Sequence, residues 1–138
     1  MILLDTNLIS EPLRPAPHPA VIAWIDAQPV ETLFLSAVTV AELRSGIAAL
    51  PAGKRRDSLS ERIETQVLPV FTGRVLAFDL AATQPYAELL TRARFKGHAI
   101  SLADAYIAAI ALTHRMSVAT RDATPFTAAG VPVIDPWR

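Results

Sequence analysis

Two rhythms of apolar and polar residues run along this chain, and the points where one yields to the other mark its elements. Ile2, Leu3 and Leu4 are consecutive apolar positions that stop abruptly at Asp5. Such a run suits a strand covered on both faces, as in a parallel sheet between helices. Thr6 to Ser10 predicts a short helical turn, and Pro12, Pro15 and Pro17 predict a loop. Pro19 opens a helix whose apolar face is Val21, Ile22, Trp24 and Ile25, with a stop at Gln28-Pro29. Glu31 to Ser36 reads as a second buried strand. It runs directly into a helix from about Val38 to Leu50, which Pro51-Ala52-Gly53 breaks. A charged helix is predicted from Lys54 to about Val67, and a third strand over 74–78. Asp79 then caps a helix that reaches about Phe95 and ends at Gly97, with Pro85 either kinking it or marking its start. Ser101 to His114 is an alanine-rich helix, Ser117 to Ala119 a strand, Pro125 to Ala129 a brief helix and Val131 to Ile134 a last strand. Strands alternating with helices predict an α/β fold with a mostly parallel sheet.

Size and composition narrow the picture without naming a function. The 138 residues suit one domain, and no repeat or long linker divides them. Net formal charge is +0, so no global field points to nucleic acid or an acidic membrane; a polyanion would need a local patch. Cysteine is absent, which removes disulfides and thiolate metal sites and suits a reducing cytoplasm. No stretch approaches the ~20 apolar residues of a membrane span, and the early Asp5 argues against a signal peptide. Hydrophobic residues make up 51% of the chain, apolar for so small a domain. The helices bearing Trp24 and Val38–Leu50 carry more large apolar side chains than one small core needs. A second copy of the chain is therefore expected to cover part of them.

Four of the 13 acidic residues do not read as surface: Asp5, Glu42, Asp104 and Asp122. Asp5 and Asp122 closely follow short apolar strands, while Glu42 and Asp104 lie near the start of apolar helices. Taken singly, each suits helix capping; Thr39-Val40-Ala41-Glu42 and Ser101-Leu102-Ala103-Asp104 both have the capping-box spacing. Taken together, they all belong to the one edge of a parallel sheet where strands end and helices begin. Two carboxylates ~4 Å apart repel by about 4 kcal/mol at an effective dielectric of 20. Four in one cleft must therefore protonate in part or hold a cation. Oxygen-only ligands favour Mg²⁺ or Mn²⁺ over zinc, because His18, His98 and His114 show no ligand spacing. Carboxylates around a hard cation are equipment for phosphodiester hydrolysis, with Arg44, Arg92, Arg94, Lys96 and Arg121 available to phosphates.

At these residues the sequence resembles the PIN-domain ribonucleases, and most closely the VapC/FitB-like toxins of bacterial type II toxin–antitoxin systems. The resemblance rests on MILLDTNLIS at 1–10, LSAVTVAELRSG at 35–46, ISLADAYIAAIA at 100–111 and VATRDATPF at 118–126, with Pro136-Trp137 near the end. It implies a single PIN domain over 1–138, a three-layer α/β/α sandwich around a short, mostly parallel sheet. It implies a Mg²⁺- or Mn²⁺-dependent endoribonuclease whose catalytic and metal-binding residues are Asp5, Glu42, Asp104 and Asp122. Thr6, Asn7 and Thr120 would orient those acids, and Arg121 and Arg44 would touch substrate. It further implies a cytoplasmic homodimer, a cognate antitoxin joined to it in a larger assembly, and contact with DNA only through that antitoxin.

Other readings make different demands. An aspartyl-phosphate phosphatase would want Asp rather than Asn at position 7, and no P-loop spacing occurs. A serine triad would need a histidine near Ser36 or Ser101, and none is indicated. The alternative of another class is a non-catalytic α/β binding module whose acids are helix caps and whose apolar surface carries the function.

Overall fold

Leu3 and Leu4 show why the chain folds in three layers. The computed structural model describes residues 1–138. In it these neighbours on β1 (Ile2–Leu4) are 0% and 1% exposed and belong to two different apolar clusters on opposite faces of the sheet. β2 (Leu33–Ser36) repeats the pattern, with Leu33 and Leu35 on one face and Phe34 on the other. So does β4 (Ser117–Ala119), with Val118 and Ala119. A strand buried on both sides has no polar alternate positions, which is the pattern read at residues 2–4. β3 (Val75–Leu76) and β5 (Val133–Ile134) complete a five-stranded sheet of order β3-β2-β1-β4-β5, in which every pairing is parallel.

Two helical layers cover it. The helices α1 (Thr6–Ser10), α2 (Pro19–Ala27), α3 (Ala37–Ala48) and α4 (Lys54–Arg62) lie with the cluster built around Leu4, Leu35 and Ile63. The helices α5 (Leu80–Phe95), α6 (Leu102–His114) and α7 (Ala123–Ala128) lie with the one built around Leu3, Ile107 and Phe126. The long alanine-rich stretch of α6 is almost wholly buried from Ala105 to Ala111, apart from Tyr106. Pro85 does not end α5; the helix runs through it from its Asp79 cap. The charged helix over 54–67 is shorter in α-form than its pattern predicts. It widens to a π-turn over Ile63–Val67 and tightens to a 3₁₀ turn at Leu68–Phe71, swinging the fully buried Ile63 and the buried Phe71 under the sheet. No helix is long and apolar enough to cross a membrane.

The expected apolar surplus lies elsewhere than the sequence placed it. Trp24, Ile25, Val40 and Ile47 pack against the chain's own second cluster. The large apolar side chains left in solvent are chiefly Leu80 at 86%, Phe95 at 88% and Leu102 at 63%, at the ends of α5 and α6. Periodicity alone marks a face as apolar; it does not tell which neighbour covers it.

Glu11, unremarkable as a loop residue, is 5% exposed. Burial alone would raise its pKa. The His18 N–H at 3.0 Å, the Arg14 guanidinium at 3.3 Å and the charge of Arg121 outweigh that and hold it below the usual carboxylate range. His18 in turn caps α2 through Nδ1, which accepts from Ala20 N–H at 3.2 Å. Glu11 thus ties the two ends of the proline loop together. Its stabilisation is present above the unfolded carboxylate value and is lost as pH falls through its lower folded value. Glu11→Gln is expected to lower stability at pH 7 by about 1.5 kcal/mol, a gap that closes in acid. Urea unfolding of the two proteins at pH 7 and pH 3.5 checks both parts.

Candidate active site

Strand register assembles the site. Leu4 and Ala119 are partners in the parallel pair of β1 and β4, so the residues that follow them, Asp5 and Thr120, emerge side by side at the carboxyl edge of the sheet. This is where the strand order reverses, β2 and β3 lying on one side of β1 and β4 and β5 on the other. Such a reversal opens a crevice in α/β sheets. The Thr120 hydroxyl donates to Asp5 Oδ2 at 2.7 Å and the Thr6 N–H to Oδ1 at 2.8 Å. Asn7 Nδ2 lies 3.2 Å from Thr120 Oγ1 and 3.5 Å from Asp5 Oδ2, and its Oδ1 accepts from the Arg121 N–H at 3.3 Å. Thr6, Asn7 and Thr120 therefore hold Asp5 in one orientation. Thr120 Oγ1 also accepts from the Asp122 N–H at 3.0 Å, which folds the chain back so that Asp122 faces the same crevice.

Glu42 arrives from β2 by way of α3. The cap of α3 is Ser36, whose Oγ accepts from Thr39 N–H at 2.9 Å, and not Thr39 as the capping-box spacing suggested. With the helix beginning at Ala37, Glu42 stands in its second turn, and its carboxylate accepts instead from the Thr6 hydroxyl at 2.5 Å. The buried Thr39 and Ser36 hydroxyls are 3.2 Å apart, and Thr39 Oγ1 is 3.4 Å from that of Thr6. This polar layer beneath the site was missed in sequence, where Ser36 and Thr39 look like ordinary helix-start residues. Ser101 does cap α6, accepting from Asp104 N–H at 3.2 Å. Asp122 occupies the capping position of α7, yet its side chain makes no cap bond. Among the four acids, only Asp5 accepts from a helix-start N–H.

Asp5, Glu42, Asp104 and Asp122 line one concavity of about 290 Å³, together with Thr6, Asn7 and Ser10, and no apolar residue borders it. Ser10 is a further residue that sequence reading missed. The only signal for it is its spacing of three from Asn7, which puts both on one side of α1. Burial pushes the pKa of Asp5 up to about 6; the Asp104 and Glu42 charges push the same way, against the Thr120 hydroxyl and Thr6 N–H. Burial also raises Asp104, and the charges of Asp122 and Glu42 add to it, opposed by the Ser101 hydroxyl. The pocket thus carries more negative charge than its surroundings neutralise. Its donors are all oxygen, which fits a hard divalent cation. No three carboxylates converge on a single metal position. That spread fits a hydrated hard cation bound through one or two carboxylates rather than one enclosed by a cage of protein ligands.

Neither of the two arginines expected at substrate lines this pocket. Arg44 is held by Glu64 through two bonds, at 2.8 and 3.0 Å, beside a separate hollow shared with Arg56 and Asp57. The Arg121 guanidinium lies 5.8 Å from the centre of the Trp137 ring, and only its backbone reaches the site. A groove of about 290 Å³ adjoins the acids through Thr6, Ser10 and Glu42. It is walled by Leu13, Leu43, Ile47, Leu50 and Leu59, with Arg14 and Arg55 at its border.

Comparison with known proteins places this architecture. The PIN domain family profile matches residues 2–131, and the chain belongs to this family, which is one of nucleases. Over all 138 residues it is 60% identical to the plasmid stability protein StbB of Pseudomonas syringae pv. tomato and 58% identical to the VapC ribonuclease Y4jK of Sinorhizobium fredii. Each alignment covers 100% of this chain and 99% of the relative. The fold superposes on FitB in the crystal structure of FitAcB from Neisseria gonorrhoeae with a TM-score of 0.96 at 51% identity, covering 100% of this chain and 99% of that one.

Proposed function

We propose that this protein is the toxin of a type II toxin–antitoxin pair and acts in the cytoplasm as a Mg²⁺- or Mn²⁺-dependent endoribonuclease. The observation that carries the reading is the convergence of Asp5, Glu42, Asp104 and Asp122 on one pocket without apolar lining, at the reversal point of a parallel sheet. Relatives of full length that are named as a VapC ribonuclease and as the toxin FitB support it. In this reading the cation sits among the four carboxylates, bound directly by one or two of them and through its own waters by the others. A divalent cation supplies an activated water and positive charge against the attacked phosphate. Thr120, Thr6 and Asn7 fix Asp5 so that its oxygens need not reorganise during the reaction. Thr6 performs the same service for Glu42. The half-buried Asp104 and the exposed Asp122 close the opposite wall.

The antitoxin is expected in the apolar groove beside the acids, where a segment lying over Leu43 and Ile47 could bring a basic side chain to Glu42. DNA would then be reached only through the antitoxin. A homodimer joined through the exposed Leu80, Phe95 and Leu102 accounts for the apolar surface left uncovered. Light scattering at micromolar concentration should give twice the chain mass, and Phe95→Glu should return it to one; a monomeric wild type removes the dimer. The reading as a whole is tested by sequencing the RNA ends produced when the isolated protein acts on total RNA in Mg²⁺. Discrete new ends are expected that Asp5→Asn does not make. An end pattern identical in the two proteins would leave the binding-module alternative standing.

A further inference from the structure

A second hollow lies beside the acidic one and has the opposite chemistry. It measures about 270 Å³ and is lined by Lys96, His98, Ala123, Thr124, Thr127 and Ala128. It contains no acid. One wall is the end of α5. There Gly97, at φ +71, allows a turn in which Gly97 N–H donates to Arg94 O at 3.0 Å and His98 N–H to Ala93 O at 2.9 Å. That turn satisfies the helix's last carbonyls and sets Lys96 and His98 on either side of the glycine. The other wall is α7, where Thr124 and Thr127, three residues apart, share one face. Arg92 braces the two walls, donating from Nη1 to Ala129 O at 2.6 Å. Gly130, at φ +83, permits that approach: a Cβ there would lie 2.3 Å from Arg92 Nη1. The hollow is therefore a built feature with fixed walls, not a pair of stray surface side chains.

Its position matters as much as its chemistry. Ala123 and Thr124 directly follow Asp122, so the basic hollow begins where the acidic pocket ends. A pocket of four carboxylates repels a polyanion. An RNA strand that presents one phosphodiester to those acids needs a cationic foothold for the phosphates beside it. Neither Arg44, which pairs with Glu64, nor Arg121, whose guanidinium lies over Trp137, lines the acidic pocket or this hollow.

We propose that Lys96 and His98, with the Thr124 and Thr127 hydroxyls, seat a backbone phosphate of the RNA next to the bond to be cut. This inference rests on the ribonuclease reading of the neighbouring acids. The Lys96 ammonium neutralises the phosphate, and the His98 ring N–H and the two hydroxyls donate to its oxygens. The contact reads no base, so it sets affinity and register along the strand rather than sequence.

The test uses the full-length protein freed of any antitoxin, a labelled 20-nucleotide RNA, and the variants Lys96→Gln/His98→Gln and Lys96→Arg/His98→Gln. Anisotropy in EDTA over a series of salt concentrations reads binding, and cleavage in Mg²⁺ reads kcat and KM separately. The glutamine pair is expected to bind about tenfold more weakly. The slope of log affinity against log salt should shrink by about 0.7, the share of one phosphate on a single strand. KM should rise with kcat held within about twofold, as for a contact made equally before and during reaction. Arginine at position 96 should restore most of the binding. Unchanged affinity and salt slope in the glutamine pair, while wild type binds and cuts, overturns the phosphate seat and leaves the ribonuclease intact. A loss of affinity for the co-expressed antitoxin in place of RNA also overturns it and gives the hollow to that partner. If wild type neither binds nor cuts RNA, both readings fall together.

Discussion

Asp5→Asn should abolish RNA cleavage and at the same time make the protein harder to unfold. The two effects have one origin. Asp5 is 5% exposed and shares its pocket with three other acids, and its pKa stands at about 6 against a usual 3.8. A carboxyl whose folded pKa lies above its unfolded one binds protons more readily in the folded state. It costs nothing below pH 3.8, costs progressively more as pH rises to 6, and costs its full amount above that. A shift of that size corresponds to about 3 kcal/mol. The amide removes that cost. It loses one hydrogen bond, because a single amide oxygen cannot serve both the Thr6 N–H and the Thr120 hydroxyl, and this costs about 1 kcal/mol. The net expectation in EDTA at pH 8 is a gain of about 2 kcal/mol, shrinking to nothing or a slight loss at pH 4. Cleavage should fall at least about a thousandfold, since losing a central metal ligand forfeits several kcal/mol of transition-state stabilisation. Chemical denaturation at both pH values and a single-turnover assay measure the pair. A variant that is less stable than wild type at pH 8 would instead show that the Asp5 carboxylate stabilises the fold through its hydrogen bonds.

Millimolar Mg²⁺ or Mn²⁺ should raise the melting temperature of the wild type and leave Asp5→Asn nearly unmoved. The cation binds the folded cluster and has no comparable site on the unfolded chain, so it stabilises by about 2.7 kcal/mol at a hundred times its dissociation constant. At pH 4.5 the shift should disappear, because protons then occupy Asp5 and weaken the site. Ca²⁺ at the same ionic strength separates site binding from general screening, since the pocket's spread-out oxygens suit a small, hydrated ion. Scanning fluorimetry with and without EDTA is sufficient. No shift with either Mg²⁺ or Mn²⁺, together with no cleavage, removes the metal-dependent mechanism.

Much of this arrangement is legible in the chain itself, and the reasons are specific. Ile2-Leu3-Leu4 is apolar without alternation because both faces of β1 are covered, and that identifies the strand, its parallel neighbours and the edge where Asp5 stands. The four acids stood out because each followed an apolar strand or opened an apolar helix. What sequence could not weigh was partnership across space. Thr39 and Glu42 have capping-box spacing, but the cap is Ser36 and the partner of Glu42 is Thr6, a contact between residues 36 apart. Arg44 looked free for phosphate until Glu64, 20 residues on, claimed it. Nothing in the sequence marks Glu11 as buried, because its burial depends on the path of the proline segment. The exposed Leu80, Phe95 and Leu102 were overlooked in favour of Trp24 and the α3 face, whose apolar residues the chain itself covers.

The hydrogen bond between Thr120 and Asp5 joins residues 115 positions apart, and this sets the order in which the molecule is completed during synthesis. β1 leaves the ribosome well before β4 and gains that neighbour only once the chain has emerged past Ala119. Until then Asp5 lacks the hydroxyl that aims it, and Asp122 does not yet exist. A chain stopped anywhere before Thr120 has no complete pocket. For a protein proposed to cut RNA, the messenger that encodes it would be spared its own half-made product, because finishing the sheet and arming the site are one late event.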